Sequence, residues 1–90
     1  MNKQQALIKE YLEAEVEKLG ILVDEEFSIS NEVERNIHRI YPGELLALDI
    51  EDNHLLSISK VDGLASCSTI NSEAILISLN KLENYFYDKF

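Results

Sequence analysis

The sequence is poor in the residues that carry most enzyme chemistry. It contains one cysteine, two histidines, three glycines, one proline and no tryptophan. A single cysteine cannot form a disulfide within the chain, and with His38 and His54 it matches no spacing typical of a zinc site. Three scattered glycines cannot supply a glycine-rich phosphate-binding loop. We therefore predict no metal site and no cofactor.

Long apolar runs are also missing. The longest unbroken ones, 45–48 and 74–77, have four residues each, whereas a helix needs about 20 apolar residues to cross a bilayer. The N-terminal segment has only residues 6–8 as an apolar run after its lysine, unlike a signal peptide. With the lone cysteine, this pattern predicts a cytoplasmic protein, and the length predicts a single small acidic domain over residues 1–90.

Basic residues are scarce and unevenly placed. Eight of them face 17 acidic residues, which gives a formal net charge of −9. Between Glu10 and Glu34 there are nine acids and one base, so this segment alone carries −8. Such a field repels nucleic acid and anionic membranes and favours a protein partner with a basic surface. The alternative is that the acidity serves solubility.

Apolar residues at three- and four-residue spacing predict a first helix over residues 2–19, closed by Gly20. Glu10, Glu13 and Glu17 fall together on its opposite face. Glu15 falls within the apolar arc, where we expect it at the edge of the packed surface, because an unpaired buried carboxylate is costly. The apolar arc comprises Leu7, Ile8, Tyr11, Leu12, Val16 and Leu19.

A second, shorter helix is predicted to begin at Asn31, a suitable N-cap, and to end before Pro42. Ahead of it, Phe27 and Ile29 alternate with polar neighbours and predict a short edge strand. The buried side of the helix comprises Val33, Ile37, Ile40 and Tyr41.

Three alternating segments, 44–50, 55–61 and 64–70, predict an antiparallel β-meander. The dipeptide Asp62-Gly63 between the last two is a strong signal for a two-residue hairpin turn. The first hairpin is predicted to have a three-residue loop, because that loop sets apolar residues opposite apolar residues. The resulting pairs are Ile50 with Leu56 and Leu48 with Ile58, and the outward face holds Ala47, Asp49, Ser57, Ser59, Ser66 and Ser68.

A last helix is predicted from Ser72, capped by Asn71. On this helix Ile77 falls outside the apolar stripe, among polar residues. We therefore predict that Ile77, Tyr85 and Tyr87 are exposed. The expected fold is α+β: two N-terminal helices, a three-stranded antiparallel β-meander and a C-terminal helix, with the helices packed on one face of the sheet. The stripe comprises Ile75, Leu79, Leu82, Phe86 and Phe90.

No pair of residues fits nucleophilic catalysis. A catalytic cysteine or serine needs a base within hydrogen-bonding distance. In the predicted register Cys67 faces Ile58, which is four residues, or roughly 13 Å along the strand, from His54. Cys67 also points into the predicted core. We therefore predict no catalytic residues and no enzyme activity.

A protein-binding role remains. In charge and size, although in no motif, the chain resembles small acidic inhibitors: immunity proteins, antitoxins and phage proteins that block nucleic-acid-handling machinery such as CRISPR effectors. The resemblance implies an acidic surface that mimics nucleic acid and occupies a basic protein surface. The alternative is a homodimeric structural or adaptor protein whose acidity serves solubility. The predicted partner-binding residues are Glu10, Glu13, Glu17, Asp24, Glu25, Glu26, Ile77 and Tyr85.

Overall fold

The computed structural model describes residues 1–63 and 73–89. Within these residues the chain forms three helices and a four-stranded mixed sheet, which confirms the α+β class. The elements in chain order are α1 (Lys3–Leu19), β1 (Leu22–Val23), α2 (Ile29–Asn36), β2 (Leu45–Glu51), β3 (His54–Val61), β4 (Ile75–Ser78) and α3 (Leu79–Lys89).

The first helix lies where the sequence predicts it, because both of its ends are capped locally. The backbone N–H of Asn2 donates to Gln5 Oε1, and the N–H of Gln5 donates to Asn2 Oδ1, each at 2.8 Å. Gly20 ends the helix in the left-handed conformation, with φ of 68°. Leu19, predicted to be packed, is instead 47% exposed.

The second helix begins and ends earlier than predicted. Its N-cap is Ser28, whose Oγ accepts the N–H of Asn31 at 3.2 Å, and its last residue is Asn36. The predicted cap at Asn31 and the predicted end at Pro42 are therefore wrong. Ile37 and Ile40 are nevertheless buried, because the chain beyond the helix continues across the core.

The edge strand is formed by Leu22–Val23 and not by the predicted Phe27 and Ile29. After Gly20 the chain turns back, and the N–H of Leu22 donates to the carbonyl of Asn53 at 2.6 Å. This contact pairs β1 in parallel with β3. The sheet, in the order β1-β3-β2-β4, is therefore four-stranded and mixed, and the prediction of a three-stranded, all-antiparallel sheet is wrong.

The β2–β3 hairpin has a two-residue turn and a β-bulge. Asp52 and Asn53 both have positive φ, 51° and 67°, as a tight hairpin turn requires. The register shifts by one residue at Leu56, the extra residue of the bulge, so that Ile50 faces Leu55. The predicted three-residue loop and the predicted Ile50–Leu56 pair are therefore wrong.

Beyond the bulge, the predicted register of this hairpin is correct. Leu48 faces Ile58, because the bulge supplies the one-residue offset that the longer loop was expected to supply. On the outward face Asp49 lies opposite Ser57, whose hydroxyl donates to Asp49 Oδ2 at 2.9 Å.

Residues 75–78, predicted to be helical, form β4, which pairs with β2 in antiparallel orientation. Ile77 lies opposite Leu46 and is 1% exposed, so the prediction of an exposed Ile77 is wrong. The helix α3 starts only at Leu79, and the hydroxyl of Ser78 accepts the N–H of Lys81 at 3.3 Å. The predicted third strand of the meander (64–70) and the predicted helix start at residues 71 and 72 lie outside the described residues.

The described helices and the inward sheet face share one apolar core. Leu46, Leu48, Ile58 and Ile77 line the sheet side of this core. No helix in residues 1–63 and 73–89 is long and apolar enough to cross a bilayer. The cluster comprises Ile8, Tyr11, Leu12, Val16, Val33, Ile37, Ile40, Leu46, Leu48, Leu55, Ile58, Ile77 and Leu82.

Candidate protein-binding surface

The acidic face of α1 is partly neutralised by its own helix. Glu13 and Glu17 are exposed, and Glu10 is half-buried. The carboxylate of Glu13 pairs with Lys9 Nζ at 3.0 Å, one helical turn away. A pair of this kind contributes only a few tenths of a kcal/mol, about 0.3–0.5, yet it offsets one of the charges that a partner would meet.

The edge of the sheet at β1 exposes three apolar side chains. Leu22 is 59% exposed, Val23 39% and Leu56 47%. Leu22 lies opposite His54, and Leu56 follows two residues later on β3, so these leucines occupy neighbouring positions on the two strands. We call these three residues the edge patch. Exposed apolar residues ringed by polar ones are typical of protein-binding surfaces.

Five exposed carboxylates lie beside Leu56 of the edge patch, and we call them the acidic rim. The bend after β1 contributes three, and the end of β2 with its turn contributes two. They lie in two adjoining surface grooves, and both grooves are also lined by Leu56. The rim comprises Asp24, Glu25, Glu26, Glu51 and Asp52, with a summed formal charge of −5.

One histidine lies inside this acidic surface. The Nδ1 atom of His54 is shielded from solvent, and it lies 3.1 Å from Asp24 Oδ1. The two atoms are within ion-pair distance but are not aligned as a hydrogen bond, so the attraction depends on a protonated ring. The pair links the bend after β1 to the first residue of β3. Within the described parts of the chain, no three acidic, histidine or cysteine side chains are placed to bind a metal ion together.

The two predicted partner-binding residues near the C-terminus lie elsewhere. Ile77 is buried in β4, which removes it from any surface. Tyr85 is half-buried, and its ring packs edge-on against Tyr11 with 4.9 Å between ring centroids. Its neighbour Tyr87 is 84% exposed. A role of Tyr85 in partner binding stays a prediction, and its contact with Tyr11 gives it a packing role.

Glu15 lies at the edge of the packed surface, as predicted. It is half-buried and lines a cleft between α1 and α3 that also contains Lys18 and Lys81. Burial raises the pKa of the Tyr11 hydroxyl, and the nearby carboxylate of Glu15 raises that pKa further. The glutamate thus has solvent access and two ammonium groups along the same cleft.

Sequence reasoning found three of the five rim carboxylates and none of the edge patch. Leu22 and Val23 belong to the apolar run 21–23 directly after Gly20, which was a usable signal for a strand. Glu51 and Asp52 join the rim because β3 pairs with β1, and no local pattern indicates that pairing. Leu56 is exposed because of the bulge, which also has no sequence signature here.

Comparison of the chain with protein-family models, with curated proteins and with solved structures found no match.

Proposed function

We propose that this chain is a non-enzymatic protein-binding module that docks the edge patch and the acidic rim onto a basic surface of another protein. The observation that supports this proposal is the placement of the exposed Leu56 among five carboxylates, next to the exposed Leu22 and Val23 of the paired strand. The apolar side chains provide area to bury, and the carboxylates select a partner of opposite charge.

More specifically, we propose that the chain is an acidic inhibitor that acts in the cytoplasm. Proteins that handle nucleic acid carry basic surfaces for phosphate groups, and clustered carboxylates compete for the same surfaces. Association should be fast and strongly salt-dependent, because charges around the rim of an interface act mainly on the association rate.

A homodimer through the same edge is the less favoured alternative. A symmetric dimer would bring two acidic rims, each with a formal charge of −5, towards one another. Like charges placed across an interface are unfavourable, whereas a basic partner turns the same charges into attraction. The geometry therefore favours a partner of different sequence.

The test is a pull-down that compares two charge-matched variants. The rim variant carries Glu25→Lys, Glu26→Lys and Glu51→Lys, and the helix variant carries Glu10→Lys, Glu13→Lys and Glu17→Lys. Each changes the net charge by +6, from −9 to −3, so bulk charge is equal between them. We expect the rim variant to lose a salt-eluted partner that the helix variant still captures.

Other outcomes separate the alternatives. Loss in the helix variant alone would assign binding to α1, and retention in both variants would contradict an acidic interface. Circular dichroism of both variants shows that they are folded. A molecular mass twice that of the chain in size-exclusion chromatography, with no captured partner, would support the homodimer.

A further inference from the structure

The backbone of β1 has one side that faces no strand in the described sheet. In the strand order β1-β3-β2-β4, β1 lies at one end. Along a parallel strand, successive residues direct their N–H and C=O groups alternately towards and away from the neighbour. The N–H of Leu22 donates to Asn53 on the β3 side. The N–H and C=O of Val23 therefore point away from β3, towards the side on which the described sheet has no further strand.

The residues on either side of β1 have part of their backbone already committed. The N–H of Ile21 donates to the carbonyl of Val16, at the end of α1, at 3.1 Å. The carbonyl of Asp24 accepts the N–H of Phe27 at 3.0 Å. Val23 is therefore the residue of β1 that presents both a donor and an acceptor to an approaching strand.

The side chains around Val23 define what such a strand must carry. The edge patch offers apolar contact at Leu22, and carboxylates lie at both ends of the two-residue strand. Asp24 follows Val23 directly. At the other end, Asp52 precedes Asn53, whose carbonyl accepts the N–H of Leu22. Residues two apart in a strand share a face and are roughly 7 Å apart. An added strand therefore matches this edge if it carries an apolar residue to contact Leu22 and a basic residue two positions away on each side to meet the carboxylates.

We infer that the partner contributes an extended segment of the pattern basic-x-apolar-x-basic, which adds to β1 as a further strand and pairs with Val23. This inference rests on the proposed function, whose partner and binding mode it specifies. Addition of a strand to a sheet edge gains affinity from main-chain hydrogen bonds and specificity from alternate side chains. The acidic rim disfavours a second copy of this chain as the added strand, because the rims would repel.

The experiment uses the whole chain and two synthetic blocked peptides of identical composition. The probe peptide is Thr-Lys-Thr-Val-Thr-Lys-Thr, in which both lysines share a face with the valine. The control peptide is Thr-Thr-Lys-Val-Lys-Thr-Thr, in which the lysines lie on the opposite face. Binding is measured by titration at low salt, and exchange of the Val23 amide proton is followed by NMR.

Two variants at one position separate backbone pairing from side-chain contact. Val23→Pro removes the outward N–H while leaving the bond from Leu22 to Asn53, and proline is tolerated on edge strands when its nitrogen faces outward. Val23→Thr keeps the N–H and a β-branched side chain. We expect Val23→Pro to weaken binding of the probe roughly tenfold and Val23→Thr to change it less than about twofold.

In the wild type, the probe should slow exchange of the Val23 amide and should bind more tightly than the control peptide. Equal affinity of wild type and Val23→Pro, with an unprotected Val23 amide, would overturn strand addition and leave the proposed acidic interface intact. Absence of binding by both peptides would also overturn it. If the wild type nevertheless captures a protein that the rim variant does not, the proposed function still holds and only strand addition is overturned.

Discussion

The Nδ1 atom of His54, the first residue of β3, lies 3.1 Å from the Oδ1 atom of Asp24, the residue that follows β1. The strand β1 has only two residues, and this side-chain contact adds to its backbone pairing with β3. The same bend carries three of the rim carboxylates, so we predict that the pair helps to position the candidate binding surface.

Asp24→Asn should loosen this bend without unfolding the protein. The substitution removes the charge that attracts a protonated His54, and both side chains are about half exposed, at 57% and 45%. We expect the free energy of unfolding to change by less than about 1 kcal/mol. Hydrogen exchange followed by mass spectrometry should nevertheless show faster exchange in residues 22–27. Unchanged exchange there would mean that the pair does not position the bend.

Leu55 and Leu56 are adjacent in sequence and opposite in environment, with exposed fractions of 0% and 47%. Leu55→Ala leaves a cavity in the core and should cost about 2–5 kcal/mol in urea unfolding. Leu56→Ala should cost less than about 1 kcal/mol and should weaken partner binding, since this side chain belongs to the edge patch. Equal losses of stability would show that the bulge does not turn Leu56 outward.

Gly63 should tolerate a side chain less well than Gly20. Both have positive φ, 48° and 68°, which alone costs alanine about 1 kcal/mol. A Cβ at Gly63 would also lie 2.7 Å from the carbonyl oxygen of Gly43, whereas at Gly20 no atom lies within 4 Å. In thermal or urea unfolding, Gly63→Ala should therefore be less stable than Gly20→Ala. We expect Gly63→Ala to lower the free energy of unfolding by at least about 2 kcal/mol. The reverse order would contradict the close approach of the two glycine backbones.

Glu44 should contribute to the loss of stability of this protein at acidic pH. The pKa of its carboxyl is lowered because it accepts the N–H of Tyr41 at 2.7 Å and lies 3.2 Å from Lys60 Nζ. A carboxyl with a lowered pKa in the folded state binds fewer protons there than in the unfolded state. Its contribution is present above its ordinary pKa of 4.5 and is lost as the pH falls through the folded value.

Urea unfolding measured from neutral pH down to below about 4.5 tests whether Glu44 contributes to acid sensitivity. The wild type should lose stability as the pH falls below about 4.5. Glu44→Gln, which keeps an acceptor for Tyr41 but does not titrate, should lose less over the same interval. Lys60→Met removes one of the two causes and should give an intermediate slope. Parallel curves for wild type and Glu44→Gln would assign the acid sensitivity to other carboxyls.

The parts of the fold that sequence reasoning predicted correctly depend on residues close together in the chain. The first helix was predicted because its apolar spacing and its terminal Gly20 lie within one segment. The β2–β3 register beyond the bulge was predicted because one-residue slips would move every apolar residue to the outward face.

The wrong prediction for residues 75–78 concerns pairing between distant segments. The residues Ile75 to Ser78 alternate too little to separate strand from helix, and their pairing with β2 decides in favour of a strand. Tertiary pairing overrides local preference here, because it satisfies backbone groups and buries Ile77 against the core.

The amino-acid sequence by itself determined the charge of the chain, its α+β class and three of the five carboxylates in the acidic rim, because composition and local periodicity need no tertiary contact. The tertiary structure alone decided that Leu22, Val23 and Leu56 stay exposed beside those carboxylates. The physical reason is that β1 pairs with the start of β3, a segment far away in the sequence, and that a bulge in the β2–β3 hairpin, which no local sequence pattern indicates, turns Leu56 outward.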